Sequence, residues 1–283
     1  MELKKIGVVG AGTMGNGIAQ ALAVAGLEVV MIDVAQAQLE RATAPIAGSL
    51  ERLIKKEKMT AADKAAAMGR IRTATDQGAV SECDLVIEAA TENLELKLRI
   101  FGQLDKLAPA HAVLASNTSS ISITRLGAAT ARPDRVIGMH FFNPVPVMAL
   151  VEVIRGLQTS EQTYAAVEAL TRKIGKSPVQ VRNSPGFVVN RMLCPMINEA
   201  IFALGEGLAS AAQIDEAMKL GANHPIGPLA LADLIGLDVE LAVMQVLYEG
   251  FKDPKYRPAP LLVEMVEAGT LGRKTKRGFF SYS

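Results

Sequence analysis

Three histidines stand in the 283-residue chain, and one of them closes an apolar run. His140 ends Arg135-Val-Ile-Gly-Met-His140 and is followed by Phe141-Phe142-Asn143-Pro144. An imidazole has an unperturbed pKa near ~6.5, so it can take and give a proton near neutrality. To do so it needs a partner that fixes its tautomer and favours its charged form. Glu152 lies twelve residues on (152 − 140), inside Leu150-Val-Glu-Val-Ile154. An acid within so apolar a strand is costly unless paired. A hairpin-like return through Asn143-Pro-Val-Pro146 would set it beside His140; the alternative is an edge-strand glutamate facing water. Ser119 and Asn143 are neutral groups suited to orienting a hydroxyl, a carbonyl or a carboxamide. Asn190 lies in a long apolar segment, where an amide needs a ligand or another polar group. His111 follows Pro109-Ala in a polar loop and reads as a surface imidazole; His224, in Gly221-Ala-Asn-His-Pro-Ile-Gly-Pro, reads as structural.

A second cluster binds rather than reacts. Gly10-Ala11-Gly12-Thr13-Met14-Gly15 fits G-x-G-x-x-G, preceded by the apolar Ile6, Val8 and Val9 and followed by helix-compatible residues. The first glycine permits the tight turn, the second lets backbone approach a pyrophosphate, and the third lets helix pack on strand. The helix N-terminus then offers N–H groups to phosphate. Asp33 ends the next apolar run, 18 residues after Gly15 (33 − 15). That is where a carboxylate accepts from ribose hydroxyls. No arginine adjoins Asp33-Val34-Ala35 to receive a 2′-phosphate, so the pattern favours NAD over NADP. No H-E-x-x-H, C-x-x-C or G-x-S-x-G occurs, so neither a metal site nor a serine nucleophile is expected. A nicotinamide, one strand-end histidine and no metal suggest hydride transfer at an alcohol or ketone carbon.

Elements that could position these groups alternate along the first 183 residues. Apolar runs at 84–88, 112–116, 135–140 and 150–154 read as buried strands, with helices at 35–58 and 94–107 and a helix capped by Thr60 with Asp63. This is an α/β pattern, an N-terminal Rossmann-type doubly wound sheet. Polar clusters at Asp33, Glu92, Ser116–Ser120 and His140–Asn143 all fall at carboxyl ends of strands, where such sheets bind ligands. The helix at 35–58 carries a face of Leu39, Ala42, Ile46, Leu50, Leu53 and Ile54. It is long for a crossover and ends in Arg52, Lys55, Lys56 and Lys58, either a solvated end complementing the helix dipole or a site for a polyanionic tail. From Asn183 the character changes. Asn183-Ser-Pro-Gly186 is turn chemistry, and helices read at 187–204, with Val188, Val189, Met192 and Leu193 toward the core, and at 211–220, 229–234, 239–248 and 261–267. This is a C-terminal all-helical domain, giving domains 1–183 and 184–283. The helix at 187–204 is apolar around too much of its circumference for a surface element, so it is central or at a dimer interface.

Composition points to a soluble protein. Net charge is +1, hydrophobic residues make up 49% and aromatics 4% with no Trp. Nothing there points to nucleic acid or an anionic membrane. Two cysteines form no disulfide framework, the first strand begins at once, and no apolar run reaches a membrane span, so the expected location is cytoplasmic.

Taken together, Gly-Ala-Gly-Thr-Met-Gly (10–15), Ala-Ser-Asn-Thr-Ser-Ser (115–120), Gly-Met-His-Phe-Phe-Asn-Pro (138–144), Asn-Ser-Pro-Gly-Phe-Val-Val-Asn-Arg (183–191) and Gly-Arg-Lys-Thr (272–275) resemble the L-3-hydroxyacyl-CoA dehydrogenases, in particular the bacterial 3-hydroxybutyryl-CoA branch. The resemblance runs nearly end to end. It implies NAD(H)-dependent interconversion of short-chain (S)-3-hydroxyacyl-CoA and 3-oxoacyl-CoA, with acetoacetyl-CoA as the oxo partner. It implies that His140 is the general acid/base, oriented by Glu152, and that Ser119 and Asn190 bind the substrate's oxygens. It implies Glu92, Lys97, Ser119, Asn143 and Lys274 near the cofactor, Ser49 and Lys56 against coenzyme A, and a homodimer through the helical domain. One departure stands out: Lys276 in Lys274-Thr-Lys276-Arg-Gly-Phe-Phe280 replaces an expected glycine. Other readings of the residues are a different β-hydroxyacid dehydrogenase or a dinucleotide-binding protein without catalysis; the presence of both His140 and Glu152 argues against the latter.

Overall fold

A computed structural model describes residues 2–283, and the chain divides into two compact units, Met1–Asn183 and Ser184–Ser283. In the first, β1 (Lys5–Val9) turns through the glycines into α1 (Thr13–Val24). Next come β2 (Glu28–Ile32), α2 (Gln36–Lys55), α3 (Ala61–Gly69) and β3 (Ile71–Ala74). β4 (Leu85–Glu88), α4 (Leu94–Leu107), β5 (Val113–Ser116), α5 (Ile123–Gly127) and β6 (Val136–Phe141) continue the alternation. β7 (Leu150–Arg155), α6 (Glu161–Lys173) and β8 (Ser177–Arg182) close it. The sheet order is β3-β2-β1-β4-β5-β6-β7-β8. Its first six strands are parallel, in the dinucleotide-binding order that crosses over between β1 and β4. β7 then runs antiparallel to β6, and β8 runs parallel to β7. The central strands are the most apolar because helices cover both faces of such a sheet; every residue of β4, β5 and β6 is buried, whereas the edge strands β3 and β8 carry exposed polar residues.

Local chemistry explains the helix ends. Thr60 caps α3 in a reciprocal box with Asp63, each bond 3.1 Å. α2 buries Leu39, Ala42, Ile46 and Leu50, the face its spacing describes. It stops at Lys55 rather than running to Lys58, because Glu57 turns left-handed (φ 56°) and Lys58 N–H closes back on the Leu53 carbonyl at 2.9 Å.

The second unit is helical: α7 (Val189–Gly205), α8 (Ala211–Gly221), α9 (Pro228–Ile235), α10 (Leu237–Phe251) and α11 (Pro260–Glu267). α7 begins at Val189, not Phe187, because Gly186 (φ 70°) and Phe187 (φ 51°) are both left-handed and cannot extend a helix. Its buried stripe is Cys194, Ile197, Asn198 and Ile201. Val188 and Met192 lie one turn apart on the opposite side and are exposed, at 49% and 71%, not in the core as their apolarity suggested. Asn198, buried here, donates to the Arg257 carbonyl at 3.0 Å and accepts Ala259 N–H at 2.8 Å, tying α7 to the start of α11. Among the described residues no helix is long and apolar enough to cross a membrane.

Candidate active site

The antiparallel return after β6 aligns His140 with Glu152 as Cα partners. Side chains at paired positions project to one face, and here His140 Nδ1 lies 2.7 Å from Glu152 Oε2. Both are buried, Glu152 to 1% exposure. A carboxylate so enclosed favours an imidazole that carries a proton on Nδ1, which makes Nε2 the nitrogen suited to exchanging a proton with a ligand. Phe142 leans over the imidazole, with centroids 4.4 Å apart and planes at 50°. Asn117, at the end of β5, accepts Phe141 N–H at 2.9 Å and so fixes the end of β6 beside the 117–120 loop.

That loop is gathered onto a single carboxylate oxygen. Glu92 Oε1 accepts the Thr118 hydroxyl at 2.5 Å, Ser119 N–H at 3.0 Å, Ser120 N–H at 3.1 Å and the Ser120 hydroxyl at 2.8 Å. The Ser119 hydroxyl lies 3.3 Å away. Packing around Glu92 pushes its carboxyl up, but the Lys97 ammonium and these donors outweigh it and hold the group below the ordinary carboxylate range. Lys97 is buried, and its ammonium faces carboxylates rather than solvent.

The glycine turn has room for a dinucleotide. Gly10 is left-handed (φ 106°), and a side chain there would strike the Ala89 carbonyl at 2.6 Å. One at Gly15 would meet the Gly10 carbonyl at 1.8 Å. A Cβ on Gly12 would meet nothing within 4 Å, so open space faces the backbone at the start of α1, where a pyrophosphate would lie. Asp33 accepts Ala11 N–H at 2.9 Å and Ala35 N–H at 3.0 Å, so it shapes the turn as well as flanking it. It lines a cleft of about 390 Å³ with Val34, Gln77, Arg99 and Gln103. These residues fit an NAD adenosine half.

A separate cleft of about 310 Å³ lies between α1 and α2, closed by the loop after β6. Ser49, Arg52 and Lys56 line it from α2, Asn16 and Gln20 from α1, and Asn143 from the loop. Gln20 donates to the Ser49 hydroxyl at 3.0 Å. The loop is pinned by Lys176, whose ammonium reaches the Val145 and Met148 carbonyls at 2.6 and 2.7 Å and whose pKa is lowered by burial. Asn190 is half-buried in the first turn of α7, and Lys274 pairs with Asp238; both belong to the second unit. Glu88, Lys176 and Arg99 escaped the sequence reading, and Asn117 figured in it only as part of the 116–120 cluster. Glu88 and Asn117 carried the signal of polar residues at or just past strand ends; Lys176 and Arg99 carried none.

Two family models match the chain: the NAD binding domain of 3-hydroxyacyl-CoA dehydrogenase over residues 5–184, and that enzyme's C-terminal domain over residues 186–282. Over 280 residues the chain is 54% identical to a 3-hydroxybutyryl-CoA dehydrogenase of Bradyrhizobium diazoefficiens, covering 99% of this chain and 96% of that one. It is 42% identical to the mitochondrial hydroxyacyl-coenzyme A dehydrogenase of Homo sapiens, covering 99% and 91%. The crystal structure of an (S)-3-hydroxybutyryl-CoA dehydrogenase from Ralstonia eutropha matches with a TM-score of 0.97 at 65% identity, each chain covered to 100%.

Proposed function

The chain belongs to the 3-hydroxyacyl-CoA dehydrogenase family, and from that premise we propose that it interconverts (S)-3-hydroxybutyryl-CoA and acetoacetyl-CoA, with His140 moving the proton. It is an NAD-dependent oxidoreductase. The reading rests on the buried 2.7 Å pair of His140 and Glu152, set at strand ends beside the 117–120 loop.

Gly10 to Gly15 and Asp33 hold the pyrophosphate and adenosine of the cofactor, and Glu92, Ser119 and Asn143 serve its nicotinamide side. When bound, the nicotinamide supplies hydride to C3 or accepts it. In oxidation His140 takes the proton of the 3-hydroxyl; in reduction it returns one to the 3-keto oxygen. Glu152 holds the ring and stabilises its charged form. Ser119 hydrogen-bonds the substrate's oxygen and aims C3. Ser49 and Lys56 hold the coenzyme A tail, which fits a cleft lined by the cations Arg52 and Lys56. The chain pairs with a second copy through its helical unit, a reading supported by the exposed Val188 and Met192.

The deciding experiment follows NADH absorbance after adding acetoacetyl-CoA to wild type and to His140→Ala. Rapid loss in the first and near silence in the second is the expected result. No turnover in wild type that still binds NADH would leave the cofactor domain standing and refute the substrate.

A further inference from the structure

The loop between β6 and β7 has more backbone carbonyls than it can satisfy from within. The Pro144 carbonyl accepts Val147 N–H at 2.9 Å and Met148 N–H at 3.0 Å, which folds residues 144–148 into a tight turn. The carbonyls of Val145, Met148 and Ala149 take their donors instead from one dipeptide at the entry to β8. Ser177 N–H reaches the Ala149 carbonyl at 2.8 Å. The Lys176 ammonium reaches the Val145 carbonyl at 2.6 Å and the Met148 carbonyl at 2.7 Å. No carboxylate shares this ammonium, and burial alone perturbs it, lowering its pKa. A lysine on a free surface keeps its head in water. This one is half-buried and spends its donors on the neutral carbonyls of a single loop.

That loop is a wall of the α1–α2 cleft. Residues 143–147 line it together with Ser49, Arg52 and Lys56, whereas Lys176 lines none of it. The wall also rests on α1, where a Cβ at Gly17 would meet Val145 at 2.9 Å. The loop is thus fixed by contact with α1 and by the donors of Lys176 and Ser177. We propose that Lys176 is a positioning residue for coenzyme A: its ammonium holds residues 143–147 in the shape that completes the cleft, without touching the ligand. This rests on the functional reading above in taking that cleft as the coenzyme A site. Without the ammonium two carbonyls lose their donor and turn toward water. The loop then spends part of its time in shapes that leave the wall incomplete, and affinity falls in proportion to the fraction that stays competent. Bound ligand restores the wall, so turnover at saturation holds.

The test compares Lys176→Met with Lys173→Met, which removes an exposed lysine three residues earlier, at the end of α6. Each is read by melting temperature, by calorimetric titration of coenzyme A with NADH saturating, by titration of ADP-ribose, and by kcat and KM for acetoacetyl-CoA. If the competent fraction drops to about a tenth, Lys176→Met binds coenzyme A about tenfold more weakly and its KM rises by a similar factor, with kcat within about twofold of wild type. ADP-ribose should bind as it does to wild type, since Asp33 lines a different cleft. Lys173→Met should match wild type throughout. Wild-type coenzyme A affinity in Lys176→Met would overturn the proposal even with a lowered melting temperature, because the lysine would then serve stability alone. A parallel loss of ADP-ribose affinity, the mark of general damage, would also overturn it. So would an equal loss in Lys173→Met, which would lay the effect on net charge. If Lys176→Met does not fold, Lys176→Gln decides, since it keeps an uncharged donor one bond shorter: weakened coenzyme A binding supports the proposal and wild-type affinity refutes it. A wild type that binds NADH but no coenzyme A refutes the reading of the cleft and the proposal with it. A wild type that binds coenzyme A without reducing acetoacetyl-CoA refutes the substrate reading alone, and the affinities still decide.

Discussion

His140 and Glu152 are Cα partners across the antiparallel step from β6 to β7, and imidazole Nδ1 meets the carboxylate at 2.7 Å. In a sheet that is otherwise parallel up to β6, this reversal brings two residues only twelve apart face to face. Glu152→Gln keeps the shape and removes the charge. The amide can present either end to Nδ1, so the tautomer is no longer fixed and the imidazolium is no longer stabilised. The expected loss in kcat is on the order of 10⁴-fold, by analogy with the orienting carboxylate of a serine-protease triad. NADH affinity should hold. Steady-state rates of acetoacetyl-CoA reduction check this, and unchanged turnover would remove Glu152 from the mechanism.

Lys56 and Arg52 share the α1–α2 cleft with Ser49. If they meet phosphates far from the reacting carbon, their contacts are equal in ground and transition states. Lys56→Ala should then raise KM for acetoacetyl-CoA by roughly tenfold, the worth of one charged hydrogen bond, with kcat unchanged. The effect should shrink in high salt. A truncated acetoacetyl-pantetheine substrate lacking the nucleotide should show no difference between Lys56→Ala and wild type. A difference that persists with the truncated substrate would place Lys56 elsewhere.

Much of this site could be read before the fold, because strand ends announce themselves. The apolar runs fix where each strand stops, and a polar residue at that point has few places to go but the ligand edge. The strand-end places of His140, Asp33 and Ser119 were legible in that way, and Thr60 was legible as a cap. Pairing was harder. Glu152 opposite His140 depended on a guess that the loop at 143–146 returns directly. The Glu88–Lys97 pair joins residues nine apart on a strand and a helix, and nothing in the spacing distinguishes it from two surface charges. α6 and β8 also escaped, since exposed residues alternate irregularly along Ser177–Arg182 at the sheet's edge. On α7 apolar type alone was a poor guide, because Met192 and Cys194 lie two residues apart on faces with opposite fates.

Lys276 stands in the left-handed region, at φ 59° and ψ 6°, within the turn that brings Arg277 across to Gly272 and Ser281. A side chain there costs about 1–2 kcal/mol, and a glycine would lose about 0.5–1 kcal/mol of that gain to unfolded-chain entropy. Lys276→Gly should therefore stabilise the protein by roughly 1 kcal/mol. Denaturant midpoints at constant slope would show it. Because Lys274 keeps its partner Asp238, NADH affinity should not change. A loss of stability would mean that the Lys276 side chain makes a contact worth more than its strain.

Glu240 is the least comfortable charge in the helical unit. It is 0% exposed on α10, and neither carboxyl oxygen has a hydrogen-bond partner among the described residues. Burial pushes its pKa from 4.5 up to about 8, and the Cys194 thiol, which acts the other way, does little to offset this. The folded protein thus holds a proton that the unfolded chain releases between those two values. Bound protons are then more numerous in the native state, so stability falls as pH rises through that window and levels off above it. A displacement of that size corresponds to on the order of 3–5 kcal/mol between acid and alkaline limits. Glu240→Leu, similar in volume and without a charge to bury, should be stabilising at pH 9 by about that amount and by much less at pH 5, where only an unsatisfied neutral carboxyl is removed. Calorimetric melting of both proteins from pH 4 to 9 isolates the effect as the difference between the two curves. Curves that stay parallel would mean that Glu240 is not protonated in the native state, and that its oxygens find partners when the carboxylate ionises.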